Sequence, residues 1–172
     1  MKIVAWVGNQ SNQRALVNKI NQQFPLAGII KETPVTKRKI TFKLLATAVI
    51  EKTFLKKIGQ LWWGMLRYYD EKFKSWPDLK TIDVENINSD VAYEFTKALQ
   101  PDIIIVSGTR LVKKKMFTLA PGIGIINLHT GLSPYVKGGP NCTNWCIATN
   151  QFHLIGNTIM WLDAGIDSGN II

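Results

Sequence analysis

Ile103-Ile104-Ile105-Val106 runs four residues without a polar position, and that fact constrains the fold more than any other. Successive side chains of a strand point to opposite faces, so a strand with no polar alternation must be covered on both sides. Strands of that kind belong to parallel sheets with helices on either face. Two further apolar runs agree with it: Ile3 to Val7, and Ile123 to Ile126 leading on to His129. Helical periods lie between them. Leu16, Val17, Ile20 and Phe24 mark a helix over Arg14 to Phe24, which leads to a second strand, Leu26 to Ile30. Asn88-Ser89-Asp90 offers N-cap residues to a helix marked by Val91, Phe95 and Leu99, and Pro101 stops it. A short helix around Lys114 to Thr118 precedes the strand ending at His129, and another strand covers Asn157 to Trp161. This βαβ order predicts an α/β fold with an open, doubly wound, mostly parallel sheet.

The segment from Thr33 to Trp76 breaks the alternation. Phe42, Leu45, Val49, Phe54, Leu55, Ile58, Leu61, Trp62, Met65 and Tyr69 recur at spacings of three and four. They read as one or two amphipathic helices, with Gly59 and Gly64 as weak points, packed on the sheet or against a partner subunit in a homodimer. The formal net charge is +9, and Lys31 to Lys80 holds twelve Lys/Arg against five Asp/Glu, which supplies most of it. Such a concentration suits an anionic partner; the plainer reading is a solvated helical face. Trp62 and Trp63 beside basic residues leave a peripheral membrane contact open. No stable membrane insertion is expected, because the weakly charged stretch Leu44 to Ile50 is too short to span a bilayer.

The 172 residues suffice for one domain with a substantial core. Met1-Lys2 leads directly into the first strand, so no leader peptide is expected. Cys142 and Cys146 match neither a zinc nor a redox spacing, and two thiols make no disulfide framework. A reduced cytoplasmic protein is the simplest expectation.

Open parallel sheets bind ligands outside the carboxyl ends of their strands. Asn127 and His129 fall at such an end, two apart and hence on one face, and Gly108-Thr109-Arg110 falls at another. The loop Gly8 to Asn12 has one glycine and no GxGxxG, and no Walker A motif occurs, so a dinucleotide is poorly supported. An amide donor beside an imidazole can hold an oxyanion and move a proton, the parts of an acyl-transfer site. Asp163 and Asp167 are the carboxylates that could fix the imidazole. Each residue also has a plainer use: Asn127 as a turn or cap, His129 simply hydrogen-bonded in place, Asp167 as a turn former before Ser168-Gly169. Cys142 has no activating neighbour in the sequence.

Asn127-Leu128-His129-Thr130-Gly131-Leu132-Ser133-Pro134-Tyr135 resembles the N-x-H-x-S-L-L-P-x-Y/R signature of the folate-dependent formyltransferases. Gly138, Pro140, Trp145 and Ile147 continue the likeness. Gly156 to Met160 and Asp163-Ala164-Gly165-Ile166-Asp167-Ser168-Gly169-Asn170-Ile171 resemble the family's G-x-T-I-M and D-x-G-x-D-T-G-D-I blocks, and Pro101-Asp102 fits another. The likeness is loose over the first thirty residues and close over 99–172.

The resemblance implies a Rossmann-like catalytic domain over 1–172, with 33–76 as a basic helical insertion, in one-carbon metabolism. It implies 10-formyltetrahydrofolate as formyl donor, a primary amine as acceptor, and no metal. Asn127, His129 and Asp167 take the positions of the family's catalytic trio. The pterin is expected against Arg110, Leu111 and Val112 after the Pro-Asp strand, and against Trp161, Leu162, Asp163 and Ile166. The acceptor is expected to be anionic: a nucleotide-linked amino sugar first, with methionyl-tRNA as the alternative. A non-catalytic binding module of the same fold is the rival from another class. Four features depart from the pattern: Gly131 replaces a serine, Ser133 replaces a leucine, the basic helical insertion between the second strand and Trp76 is not part of the common pattern, and family domains continue beyond the position of Ile172, so the C-terminal end is expected to be truncated.

Overall fold

The computed structural model describes residues 1–35, 49, 53, 56–119, 122–139 and 142–172. Phe42, Leu45, Phe54, Leu55 and Pro140, and the side chain of Ile58, lie outside the described residues.

Six strands form one sheet: β1 (Ile3–Gly8), β2 (Leu26–Glu32), β3 (Thr81–Val84), β4 (Ile103–Ser107), β5 (Gly124–His129) and β6 (Thr158–Trp161). Helices α1 (Ser11–Gln23), α2 (Lys56–Lys72), α3 (Asp90–Leu99) and α4 (Cys142–Ala148) are the α-helices among the described residues. The strand order is β3-β2-β1-β4-β5-β6. All neighbours are parallel except β5 and β6, so the sheet is mostly parallel and Rossmann-like as expected.

Every residue of β1 is buried, because its alternating side chains feed two separate cores. Val4 and Trp6 join Ile30, Ile104, Val106, Ala92 and Met116 on one face. Ile3, Ala5 and Val7 join Val17, Leu26 and Ile29 on the other. Trp6 buries its indole fully while its Nε1 donates to Thr96 Oγ1 at 3.1 Å, so its one polar atom is satisfied.

Chain order and spatial order diverge at β1. β2 and β3 build outward on one side, and β4 returns to the other. The carboxyl ends of β1 and β4 therefore flank the crevice where such sheets bind ligands. They converge closely: a Cβ on Gly8 would meet the Gly108 carbonyl oxygen at 2.7 Å.

Three sequence expectations are corrected. The segment after β2 does not break the alternation, because α2 is the crossover between β2 and the parallel strand β3. That strand has only four residues and no apolar run to announce it. Leu61 and Trp62, placed on the buried stripe from spacing, are exposed. Val91 and Phe24 are also exposed. On α3 the inward face is centred on Ala92 and Thr96, since each four-residue step overshoots the helical turn and carries the stripe sideways. Phe24 is the C-cap of α1, where the backbone has already left the helix. Among the described residues, no helix is long and apolar enough to cross a membrane.

Candidate active site

β5 pairs through Asn127 with Val106 of β4 and with Met160 of β6, and through His129 with Thr158. Packing on both sides fixes the strand's register, and with it the placement of Asn127 and His129 on one face, as the two-residue spacing predicts. Asp167 comes from the loop after β6, where its φ of 46° lies in the left-handed region that aspartate tolerates better than most residues.

The Asp167 carboxylate joins the three residues. Oδ1 accepts from Asn127 Nδ2 at 3.3 Å, and Oδ2 lies 3.4 Å from His129 Nδ1. Oδ2 also accepts the Gly138 backbone N–H at 2.7 Å, a charge-assisted bond that anchors the carboxylate to the loop after β5. His129 Nε2 sits 3.0 Å from the Val136 carbonyl oxygen. Both ring nitrogens thus face oxygens, in a ring that is only 7 % exposed.

Asp167 bridges Asn127 and His129, and it is the member of the trio that contacts both. Asn127 is half-buried and carries two amide N–H groups, one of which goes to Asp167. The other is available to an incoming oxygen.

Gly131 stands where the related signature has serine, and the structure gives the reason. A Cβ there would meet His129 Nε2 at 2.4 Å and the Val136 carbonyl oxygen at 2.8 Å. The loop folds tightly over the imidazole because residue 131 has no side chain. Thr158 Oγ1 supports the same loop, donating to the Gly131 carbonyl at 2.7 Å and accepting from Ser133 N at 2.9 Å.

The residues expected to hold a pterin separate into different environments. Arg110 donates its backbone N–H to Glu32 Oε2 at 2.7 Å. Leu111 projects its side chain outward, and its carbonyl accepts from Asn88 Nδ2 at 3.0 Å. Val112 is buried in the core, and Leu162 packs against the same cluster, so the structure brings the two loops to one core. Trp161 is half-buried and Ile166 exposed. Asp163 turns inward to its own loop, accepting from Gly165 N at 2.9 Å and Ser168 Oγ at 2.7 Å. It therefore does not orient the imidazole; of the two candidate aspartates, Asp167 does.

Sequence reasoning missed Glu32. Its carboxylate is 1 % exposed, accepts Ile87 N at 2.8 Å through Oε1 and Arg110 N through Oε2, and so ties the loop after β3 to the loop after β4. A carboxylate ending an apolar strand was the available signal. Cys142 and Cys146 are buried free thiols, and Cys142 Sγ donates to the Gly138 carbonyl at 3.1 Å. Among the described residues, no group of three or more His, Cys, Asp or Glu could hold a metal ion.

The family model described as Formyl transferase matches residues 1–172, the whole chain. The chain belongs to the formyl transferase family. Curated members that it resembles include the methionyl-tRNA formyltransferase of Clostridium tetani, 34% identical over 96 residues, which is 55% of this chain and 30% of that enzyme. The methionyl-tRNA formyltransferase of Clostridium beijerinckii is 38% identical over 79 residues, 46% of this chain and 25% of that enzyme. The aligned part thus spans less than a third of these relatives. Among solved structures, the phosphoribosylglycinamide formyltransferase of Anaplasma phagocytophilum superposes with a TM-score of 0.62 at 17% identity, over 100% of this chain and 69% of that one. The glycinamide ribonucleotide transformylase 1 of Symbiobacterium toebii gives a TM-score of 0.61 at 18% identity, over 100% and 70%. At such identities these structures establish the formyltransferase fold alone.

Proposed function

We propose that residues 1–172 form a formyltransferase catalytic domain that moves a formyl group from 10-formyltetrahydrofolate to a primary amine. The observation that carries this reading is the Asp167 carboxylate bridging Asn127 and His129 at the carboxyl end of β5. The donor supplies a formyl carbon already bound to nitrogen and ready for acyl transfer. The loop after β4 suits its pterin edge, because the Leu111 and Val112 N–H groups find no partner among the described residues. Arg110, Leu111 and Val112 on one side, and Trp161, Leu162 and Ile166 on the other, are the residues proposed to hold it.

Asn127 directs its free N–H toward the formyl oxygen, where negative charge develops as the amine attacks; removing such a donor costs about 3–4 kcal/mol of transition-state stabilisation. Asp167 fixes the Asn127 amide in that orientation. The amine must lose a proton and the departing nitrogen must gain one, and the Asp167–His129 pair is placed to carry it. Because both imidazole nitrogens already face oxygens, the carboxylate is the edge of the pair that meets substrate.

For the acceptor, the relatives favour methionyl-tRNA over the nucleotide-linked amino sugar expected from the sequence: the curated relatives named above are methionyl-tRNA formyltransferases. A charged tRNA as acceptor is compatible with the cytoplasmic location expected from the sequence. The test is formyl transfer to initiator methionyl-tRNA and to a nucleotide-linked amino sugar, each with and without 10-formyltetrahydrofolate. Donor-dependent formylation of the tRNA is the expected result. Formylation of the sugar alone would overturn the acceptor, and formylation of neither would overturn the reaction.

A further inference from the structure

Two asparagines flank a core residue in the loop after β3. Ile87 is fully buried, in the same cluster as Val112, and its backbone N–H goes to Glu32. Asn86 and Asn88, one residue to either side, are half-buried. Asn86 Oδ1 accepts the Asn88 backbone N–H at 2.9 Å, closing the turn that leads to Ser89, the N-cap of α3. The same oxygen accepts from Asn88 Nδ2 at 3.1 Å, so Asn86 holds the Asn88 side chain in one orientation.

Asn88 in turn grips the loop after β4 at two points. Its Oδ1 accepts the Lys113 backbone N–H at 2.6 Å, and its Nδ2 donates to the Leu111 carbonyl at 3.0 Å. A backbone N–H can only donate, so the atoms facing Asn88 N and Lys113 N must be oxygens. That settles both amides. The Asn88 NH₂ has two N–H groups and meets two acceptors, the Leu111 carbonyl and Asn86 Oδ1. Turned over, Asn88 would set its oxygen against both acceptors and its NH₂ against a donor.

The two gripped groups lie on either side of Val112. The Leu111 carbonyl shares a peptide plane with the Val112 N–H, and the Lys113 N–H shares one with the Val112 carbonyl. Both peptide groups are trans, so the two polar groups of each plane point in opposite directions. By holding the outer members, Asn88 turns the Val112 N–H and the Val112 carbonyl away from itself. Neither has a partner among the described residues. Glu32 fixes Arg110 N, and the Val112 side chain is anchored in the core, but neither contact sets the tilt of these two planes. Peptide groups aimed before the ligand arrives bind it more tightly than the same groups on a loose loop, because less ordering remains to be done at binding.

We infer that Asn88 is a positioning residue for the formyl donor, aiming the Val112 peptide groups at the pterin, and that Asn86 acts through it. The inference rests on the reading of Arg110, Leu111 and Val112 as the pterin loop, and donor binding tests it without catalysis.

The experiment is calorimetric titration of 10-formyltetrahydrofolate, with no acceptor present, into the parent protein and four variants. These are Asn88→Ala, Asn88→Asp, Asn86→Ala and Asn86→Ala/Asn88→Ala. Asn88→Asp keeps the size of the side chain and an acceptor for Lys113 N, but has no N–H for the Leu111 carbonyl. Asn88→Ala and Asn88→Asp are each expected to lose about ten-fold in donor affinity, the usual worth of one or two hydrogen bonds. Asn86→Ala loses less, and adding it to Asn88→Ala costs nothing further, because the two act in series. Tm stays near the parent's, since Glu32 still joins the two loops. In turnover, KM for the donor rises with the loss of affinity and kcat falls less; a merely destabilised fold would lower kcat at unchanged KM. Parent-like donor affinity in both Asn88 variants overturns the inference and leaves the reaction standing. An additive double variant overturns the route through Asn86. A parent protein that binds no donor overturns the inference and the reaction together. Variants that bind as expected beside a parent that transfers no formyl group overturn the reaction alone.

Discussion

Asp167→Asn is the substitution in which the arrangement of the site gives the clearest prediction. The carboxylate accepts from Asn127 Nδ2 at 3.3 Å and Gly138 N at 2.7 Å, with His129 Nδ1 3.4 Å away. An amide has one accepting atom where the carboxylate has two. If its oxygen stays on Gly138 and His129, its NH₂ meets the NH₂ of Asn127, and the Asn127 amide must turn over. The N–H that would meet the formyl oxygen then moves away. The cost to stability is small, because a neutral acceptor keeps the Gly138 bond: about 1–2 kcal/mol from the difference between charged and neutral hydrogen bonds. For a chain of this size, that corresponds to a fall in Tm of roughly 2–8 °C. The cost to transfer is large, about 100- to 1,000-fold in kcat, the usual loss when an oxyanion donor is removed. Thermal unfolding and formyl-transfer kinetics on the same preparation separate the two. A variant that transfers within three-fold of the parent would refute the bridging role of Asp167. One that fails to fold would refute the claim that a neutral acceptor suffices to hold the Gly138 N–H.

Other sites yield sharper local tests. Glu32→Gln puts a donor against one of the two backbone N–H groups that the buried carboxylate accepts, Ile87 N or Arg110 N. It should lower stability by about 2–3 kcal/mol in chemical denaturation and raise KM for the folate more than it lowers kcat. Gly131→Ala drives a Cβ into His129 Nε2 and the Val136 carbonyl, so overpacking of about 1–3 kcal/mol and a displaced imidazole are expected, the latter read from the His129 ring nitrogen shifts by NMR. Lys115 Nζ sits 2.5 Å from Asp90 Oδ1 at the start of α3. The hydrogen bond from Lys115, then its charge, holds the Asp90 carboxyl below its usual range, and Asp90 in turn raises Lys115. A depressed carboxyl favours the fold at pH above its ordinary value, and that contribution is lost as pH falls through the lowered one. In Lys115→Ala the Asp90 titration, followed by NMR, should move up; both groups are exposed, so overall stability should barely change.

The parallel strands could be read from sequence because burial on both faces removes polar alternation, and β1 and β4 show this directly. β3 could not, since four residues with one exposed aspartate carry no pattern; without it, the role of α2 as the crossover into β3 did not show. α4 escaped because its buried side chains, Cys142 and Cys146, are small, while the large apolar neighbours of Cys146, Trp145 and Ile147, are exposed. At the site, Asn127 and His129 were legible because a strand's two-residue period fixes which side chains share a face. Asp167 was one of two candidate aspartates by position in the chain, and only the resemblance to the family singled it out before the loop was folded. The contacts that decide the chemistry are made largely by backbone groups, Gly138 N and the Val136 carbonyl, and a peptide group leaves no mark in the residue names. Gly131 was the exception in kind: its departure from the signature looked like a loss, and the structure makes it the condition for the His129 contact.

The central claim is that Asn127, His129 and Asp167 together form a formyl-transfer site. A single-turnover reaction tests it most directly, with the protein in excess over 10-formyltetrahydrofolate and initiator methionyl-tRNA present. Tetrahydrofolate and formylated methionyl-tRNA should appear together, one for one. An Asn127→Ala/His129→Ala variant with an intact fold should produce neither at a comparable rate. Transfer by that variant at the parent's rate would contradict the account.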